Sequence, residues 1–112
     1  MKLWEKQALF AQNVAKLIQY AASIRFNVTF GEVMRSQEQA EIYAKEGKGI
    51  IDSLHCKRLA VDLNIFDSDG NYVTTESLYK VLGDYWVKLN PLNRWGGTFK
   101  RVDLDHYEMQ DL

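Results

Sequence analysis

Between Leu3 and Ala22 the larger apolar residues fall at Leu3, Phe10, Val14, Leu17, Ile18 and Ala21. These steps of three, four and seven line up on one face of an α-helix. The opposite face mixes Glu5, Lys6, Gln12 and Lys16 and forms no basic stripe, so the spacing predicts a helix packed on a core, not one lying on a membrane. Phe26 to Phe30 then alternates with period two and is rich in β-branched and aromatic residues, which predicts a half-buried strand ending at Gly31. A helix-to-strand turn falls near Ser23 to Arg25.

Ser36 followed three positions later by Gln39 is a capping-box pattern and predicts a second helix over Gln37 to Lys45. Two glycines within Glu46-Gly47-Lys48-Gly49 break the periodicity and predict a loop that runs to Leu54. Alternation returns from Leu59 to Phe66, with Leu59, Val61, Leu63 and Ile65 on one face and Ala60, Asp62, Asn64 and Phe66 on the other. Asp67-Ser68-Asp69-Gly70-Asn71 is a turn by composition. Its glycine comes too early for a calcium loop, and Leu78 stands where a bidentate glutamate belongs. Thr74 or Thr75 can cap a third helix over Glu76 to Leu89, whose stripe is Leu78, Leu82, Tyr85, Trp86 and Leu89, and Asn90-Pro91 ends it. Arg94-Trp95-Gly96-Gly97 reads as a glycine-rich corner, with short strands at Thr98-Phe99 and His106-Tyr107-Glu108-Met109. The pattern is that of an α+β domain, with helices packed on a small, mainly antiparallel sheet.

Composition narrows the function classes. The 112 residues suffice for one core, so the chain is a single domain over residues 1–112. Fourteen Lys and Arg against fifteen Asp and Glu give a formal net charge of −1, which disfavours a polyanionic partner such as nucleic acid. The single cysteine excludes an internal disulfide. No apolar stretch approaches the about 20 residues that cross a bilayer, and the Met1 to Gln7 start is too polar for a signal peptide.

The two histidines, His55 and His106, each lie beside acidic residues next to a predicted strand. With Asp62 they would supply the two imidazoles and one carboxylate of a catalytic zinc site, which keeps a fourth position open. Fully extended, the segment from His55 to Asp62 would span roughly 23 Å. The chain must therefore turn back, most simply at Cys56-Lys57-Arg58. Spacing alone does not single out a metal site, because two histidines and a carboxylate are common in a chain of this size.

Ser53-Leu54-His55-Cys56-Lys57-Arg58-Leu59-Ala60-Val61-Asp62 resembles the S-x-H-x-x-G-x-A-x-D motif of the D-alanyl-D-alanine carboxypeptidase/L-alanyl-D-glutamate endopeptidase family of zinc peptidases, which includes phage endolysins and VanX-type dipeptidases. Asp103-Leu104-Asp105-His106 matches the family's second motif, an acid three positions before the last zinc-binding histidine. Val28 to Ser36 with Glu38, Gln39 and Tyr43 is similar to its strand, "RS" and "EQ" segment, and Trp95-Gly96-Gly97 to its W-G-G. The motifs occur in family order over residues 26 to 108.

The resemblance implies a hedgehog/DD-peptidase-like fold and hydrolysis of peptidoglycan stem peptides, with L-alanyl-D-glutamate endopeptidase preferred over D-alanyl-D-alanine carboxypeptidase. It implies Zn²⁺ held by His55, Asp62 and His106, Asp103 as general base and then acid, and Arg35 stabilising the oxyanion. Ser53 and Gln39 would contact substrate, and Trp95 would shape the pocket wall. A monomer made in the cytoplasm, in the manner of a phage lysis enzyme, and acting at the cell wall fits these features. The competing class is a non-catalytic module, either a zinc-stabilised peptidoglycan-binding domain or a virion structural protein with the same fold.

The residues leave some alternatives open. Arg35 could instead be an ion-pair partner for Glu32 or Glu38, and Asp105 competes with Asp103 as the base. Glu108, two residues beyond His106 and on the same strand face, is either a residue that orients a ligand or a solvated edge carboxylate. Cys56 reads as a small buried or loop thiol. The main departure is Arg58, which stands where the family motif has glycine. If that position takes a positive φ, arginine is strained there by about 1 kcal/mol or more.

Overall fold

The computed structural model describes residues 1–48 and 53–112. Helix α1 spans Leu3–Ser23, strand β1 Asn27–Phe30, α2 Gln37–Lys45, β2 Ala60–Phe66, α3 Glu76–Leu89, β3 Asn93–Trp95 and β4 His106–Met109. Short 3-10 turns occupy Leu54–Lys57 and Gly96–Thr98. The strands form one antiparallel sheet in the order β1-β2-β4-β3. The architecture is the expected α+β arrangement.

The core lies on one face of this sheet. Phe10, Val14, Leu17 and Ala21 of α1 and Tyr79, Leu82 and Trp86 of α3 meet Val61, Leu63 and Ile65 of β2 and Tyr107 and Met109 of β4. Burial of each large side chain contributes about 1.5–3 kcal/mol before conformational entropy is set against it. The other face of the sheet carries Asp62, as the alternation in β2 predicts.

Local chemistry explains the element ends. Ser36 Oγ accepts the amide of Gln39 at 3.0 Å and starts α2 over the predicted residues. Thr75 occupies the N-cap position of α3 without a capping side-chain hydrogen bond. Asp67 Oδ1 accepts the amides of both Asp69 and Asn71, each at 2.9 Å, and closes the predicted turn. Of the loop predicted from Glu46 to Leu54, Glu46 to Lys48 form a turn, and residues 49–52 lie outside the described residues.

Four expectations are corrected. Leu3 is 43% exposed at the helix start. Lys6 is buried in its place, its ammonium 2.6 Å from Asp111 and 2.8 Å from the Leu112 carbonyl. Phe30 is 61% exposed: its register partner is buried Leu63, but on edge strand β1 it sits at the rim of the packed face, in an open groove with Phe10, Val14 and Ile18 of α1. The stripe of α3 includes Tyr79, whose hydroxyl donates to the Val73 carbonyl at 2.8 Å, and Gly83. The supposed corner at Arg94 and Trp95 is strand β3, paired Arg94 to Glu108 and Trp95 to Tyr107, whereas Thr98 and Phe99 form no strand. The partner strand β4 decided that assignment, and it lies too far along the chain for local pattern to register.

Candidate functional site

Antiparallel pairing of β2 with β4 sets Asp62 directly opposite His106. Cross-strand neighbours point to the same face, and Asp62 Oδ1 lies 3.2 Å from His106 Nδ1. The backbone of Asp62 is pinned from the other side, its amide donating to the Glu32 carbonyl at 2.8 Å and its carbonyl accepting the Gly31 amide at 2.7 Å.

His55 reaches the same point by a different route. Ser53 Oγ accepts the His55 amide at 3.2 Å and starts the 3-10 turn, which ends at Arg58 with φ 56 and ψ 37. This left-handed residue reverses the chain where the sequence requires it. The reversal places His55 Nε2 at 3.5 Å from Asp62 Oδ1. The Arg35 amide, donating to the His55 carbonyl at 3.2 Å, ties the turn to the segment before α2.

One potential ligand atom from each of His55, Asp62 and His106 lies within 4.8 Å of the others. Both imidazoles are buried. These residues line a cleft of about 530 Å³ together with Arg35, Ser53, Arg94, Phe99 and Asp103. Two imidazoles and a carboxylate are the donor set of a zinc site that keeps an open position, and the convergence of Nε2, Oδ1 and Nδ1 fits such an ion.

The electrostatics agree with a carboxylate clasped between two rings. Burial pushes the Asp62 carboxyl up, but hydrogen bonding and charge from His106 and His55 outweigh it and hold the group down at about 2. Burial likewise disfavours protonated His106, yet Asp62 and Glu108 together raise it to about 9.

Of the two candidate bases, Asp103 faces the cleft, with Oδ2 4.0 Å from His106 Nδ1 and a half-exposed side chain. Asp105 lines an adjoining depression with Tyr72 and Tyr79. Burial and the neighbouring Asp103 carboxylate push it up to about 7. Gly96 brings the Asp103 loop in: a Cβ there would sit 2.2 Å from the Asp103 carbonyl oxygen and 2.9 Å from His106 Cβ. Its own carbonyl accepts the Asp103 amide at 3.0 Å.

Arg35 lines the cleft, donates from Nε to Glu32 Oε1 at 2.8 Å and lies over the Tyr43 ring. Gln39 and Trp95 are not among the cleft residues. Gln39 sits half-buried on α2. Trp95 is buried on the core side, its indole packed on Gly83, where a Cβ would come within 2.2 Å, and donating to the Leu104 carbonyl at 2.7 Å. Cys56 is a half-buried free thiol.

Sequence reasoning left Glu108 open and missed its partner. Glu108 is buried, and its Oε1 accepts from His106 Nε2 at 2.7 Å while Oε2 accepts from Arg94 Nε at 2.9 Å. Had Arg94 been assigned to a strand, the parity of Arg94 against Trp95 would have put the arginine on the cleft face. Glu32, with Oε1 3.6 Å from His55 Nδ1, was likewise treated only as a partner for Arg35.

Among the described residues, no helix is long and apolar enough to cross a membrane. No family model matches the sequence, and no curated protein is significantly similar to it. Among solved structures, the chain is similar to the Serratia marcescens L-Ala D-Glu endopeptidase ChiX, with a TM-score of 0.70 over 88% of this chain and 79% of that one, at 18% sequence identity. At that identity the likeness is one of fold: this chain has the α+β fold of that endopeptidase.

Proposed function

We propose that the chain is a zinc-dependent peptidase acting on peptidoglycan stem peptides, with the L-alanyl-D-glutamate bond preferred over a terminal D-alanyl-D-alanine bond, and that it works at the bacterial cell wall. The observation that carries this reading is the approach of His55 Nε2 and His106 Nδ1 to one oxygen of Asp62, at 3.5 and 3.2 Å, on the wall of an open cleft. The fold likeness to an L-Ala D-Glu endopeptidase supports the choice of substrate.

His55, Asp62 and His106 would hold the ion. Bound there, Zn²⁺ supplies Lewis acidity toward a scissile carbonyl and acidifies water at neutral pH. Asp103, at the cleft mouth with a solvated carboxylate, takes a proton from the attacking water and returns it to the departing amine. Arg35 brings a fixed positive charge to the same cleft, suited to charge that develops on the carbonyl oxygen. Ser53 holds the His55 turn through its hydroxyl, so a substitution there would disturb ligand placement as well as any substrate contact.

The test is digestion of purified peptidoglycan by the zinc-loaded protein, followed by mass spectrometry of the fragments. Fragments with a new amino terminus on D-glutamate are the expected product. Release of D-alanine alone would reassign the bond, and no product from several wall chemotypes would favour the non-catalytic zinc module.

A further inference from the structure

Glu108 has no place in the metal holding or proton transfer above, yet it is more buried than either carboxylate that does, its side chain 7% exposed against 24% for Asp62 and 53% for Asp103. A carboxylate at that depth is destabilising unless its charge is met. Here its two oxygens are divided. Oε1 accepts from His106 Nε2 at 2.7 Å, and Oε2 accepts from Arg94, through Nε at 2.9 Å and through a terminal nitrogen.

The division follows from strand geometry. His106 and Glu108 are two apart on β4 and share its cleft face. Arg94 on β3 is the cross-strand partner of Glu108. Ala60, opposite Glu108 on the β2 side, has a side chain too short to compete for the space. Phe99 adds a cover, its ring centroid 5.6 Å from His106, with the Arg94 guanidinium 5.6 Å above it.

The consequence concerns which nitrogen of His106 is free. A carboxylate held ionised by a guanidinium accepts a hydrogen bond and cannot give one, so Nε2 keeps its proton, and the proton that gives way to an ion is the one on Nδ1, shared with Asp62. Among the described residues His55 has no such support: its Nδ1 makes no hydrogen bond, with Glu32 Oε1 3.6 Å away.

We propose that Arg94 and Glu108 are positioning residues that lock His106 as an Nδ1 donor to the metal, an inference that rests on the metal reading above. Arg94 acts through Glu108, and Glu108 through the imidazole.

The test measures Zn²⁺ affinity by competition with a chromophoric chelator, and the visible absorption of the Co²⁺-substituted protein, for the full chain and for Glu108→Gln, Glu108→Ala, Arg94→Ala and Arg94→Lys. Melting of each metal-free variant reports separately on folding. Glu108→Ala is expected to weaken Zn²⁺ binding about 10–100-fold and to shift the Co²⁺ bands. Arg94→Ala should do the same to a smaller degree, and Arg94→Lys, which keeps the charge and loses the fork, should recover part of the loss. Wild-type affinity and an unshifted Co²⁺ spectrum in folded Glu108→Ala and Arg94→Ala would overturn the positioning role while leaving the metal centre standing. If the unmodified protein takes up no Zn²⁺, or if His55→Ala takes it up as well as wild type, the metal reading itself fails and the positioning role with it.

Discussion

Asp62 and His106 are register partners across β2 and β4, and that pairing alone brings a carboxylate oxygen to 3.2 Å from an imidazole nitrogen. A slip of one residue in either strand would send one of them into the core. The proposed metal centre is therefore as firmly specified as the sheet, and only His55 depends on a turn.

Removal of one donor should abolish most of the ion's hold. For His106→Ala the expected loss in Zn²⁺ affinity exceeds the about 10–100-fold typical of a residue that only supports a ligand. At a free metal concentration 100 times Kd, zinc stabilises the wild type by about 2.7 kcal/mol. Chelation should accordingly lower the melting temperature of wild type and leave that of His106→Ala unmoved. Equal zinc content in the two proteins would exclude His106 from the centre.

Asp103→Ala should separate chemistry from metal binding. Its carboxylate lies 4.0 Å from His106 Nδ1 and half in solvent. The variant is expected to keep its zinc and lose about 10²-fold or more in hydrolysis rate. Full activity in the variant would pass the role of base to another group, with Asp105 the nearest alternative.

Arg58 pays for the chain reversal with a left-handed backbone, φ 56. Arg58→Gly removes that strain and should stabilise the protein by about 0.5–1 kcal/mol, while a β-branched Arg58→Val should destabilise it. Urea midpoints of the metal-free proteins decide the order. A glycine variant less stable than wild type would mean that contacts of the arginine side chain outweigh its backbone cost.

Gly96→Ala places a methyl group 2.2 Å from the Asp103 carbonyl oxygen. The loop must move outward, so the expected result is a loss of about 1–3 kcal/mol in stability together with weakened metal binding, since a Cβ would also press on His106 at 2.9 Å. Denaturant unfolding and zinc titration measure the two effects. A variant unchanged in both would show that the loop can be displaced freely.

In the metal-free chain, stability should fall on the alkaline side. Burial opposes the charge on His106, but Asp62 and Glu108 raise its pKa from 6.5 to about 9, so its contribution is complete below 6.5 and lost as pH rises through about 9. Asp62, held at about 2 against burial by the two imidazoles, contributes above 3.8 and loses its contribution as pH falls through about 2. Urea midpoints in chelator should be lower at pH 9.5 than at pH 6. Zinc affinity should rise over the same interval, because the ion displaces the proton. A midpoint that climbs toward pH 9.5 would contradict the assignment.

Much of this was legible before any tertiary contact. The alternation from Leu59 to Phe66 put Asp62 opposite the core because a strand has only two faces. Ser36 announced α2 because its hydroxyl has one local task, the Gln39 amide. The distance between His55 and Asp62 demanded a reversal, and it occurs at Arg58. Trp95 was misjudged because a tryptophan beside two glycines is equally consistent with a pocket wall and with a core contact. The difference lies in Gly83, twelve residues away in sequence, on which the indole packs. Glu108 stayed undecided for the same kind of reason, since its burial depends on Arg94 from a neighbouring strand.

By itself the sequence determined the helices and the two alternations, because periodicity and capping act over a few residues, and its motif resemblance, not its spacing, pointed to His55, Asp62 and His106 as the residues able to hold an ion. Tertiary structure alone decided that those donors meet, that Glu108 is buried against His106 with Arg94 behind it, and that Trp95 belongs to the core. Each of these depends on which strands become neighbours and in what register, a choice made by burying one continuous apolar face and invisible to any short stretch of chain.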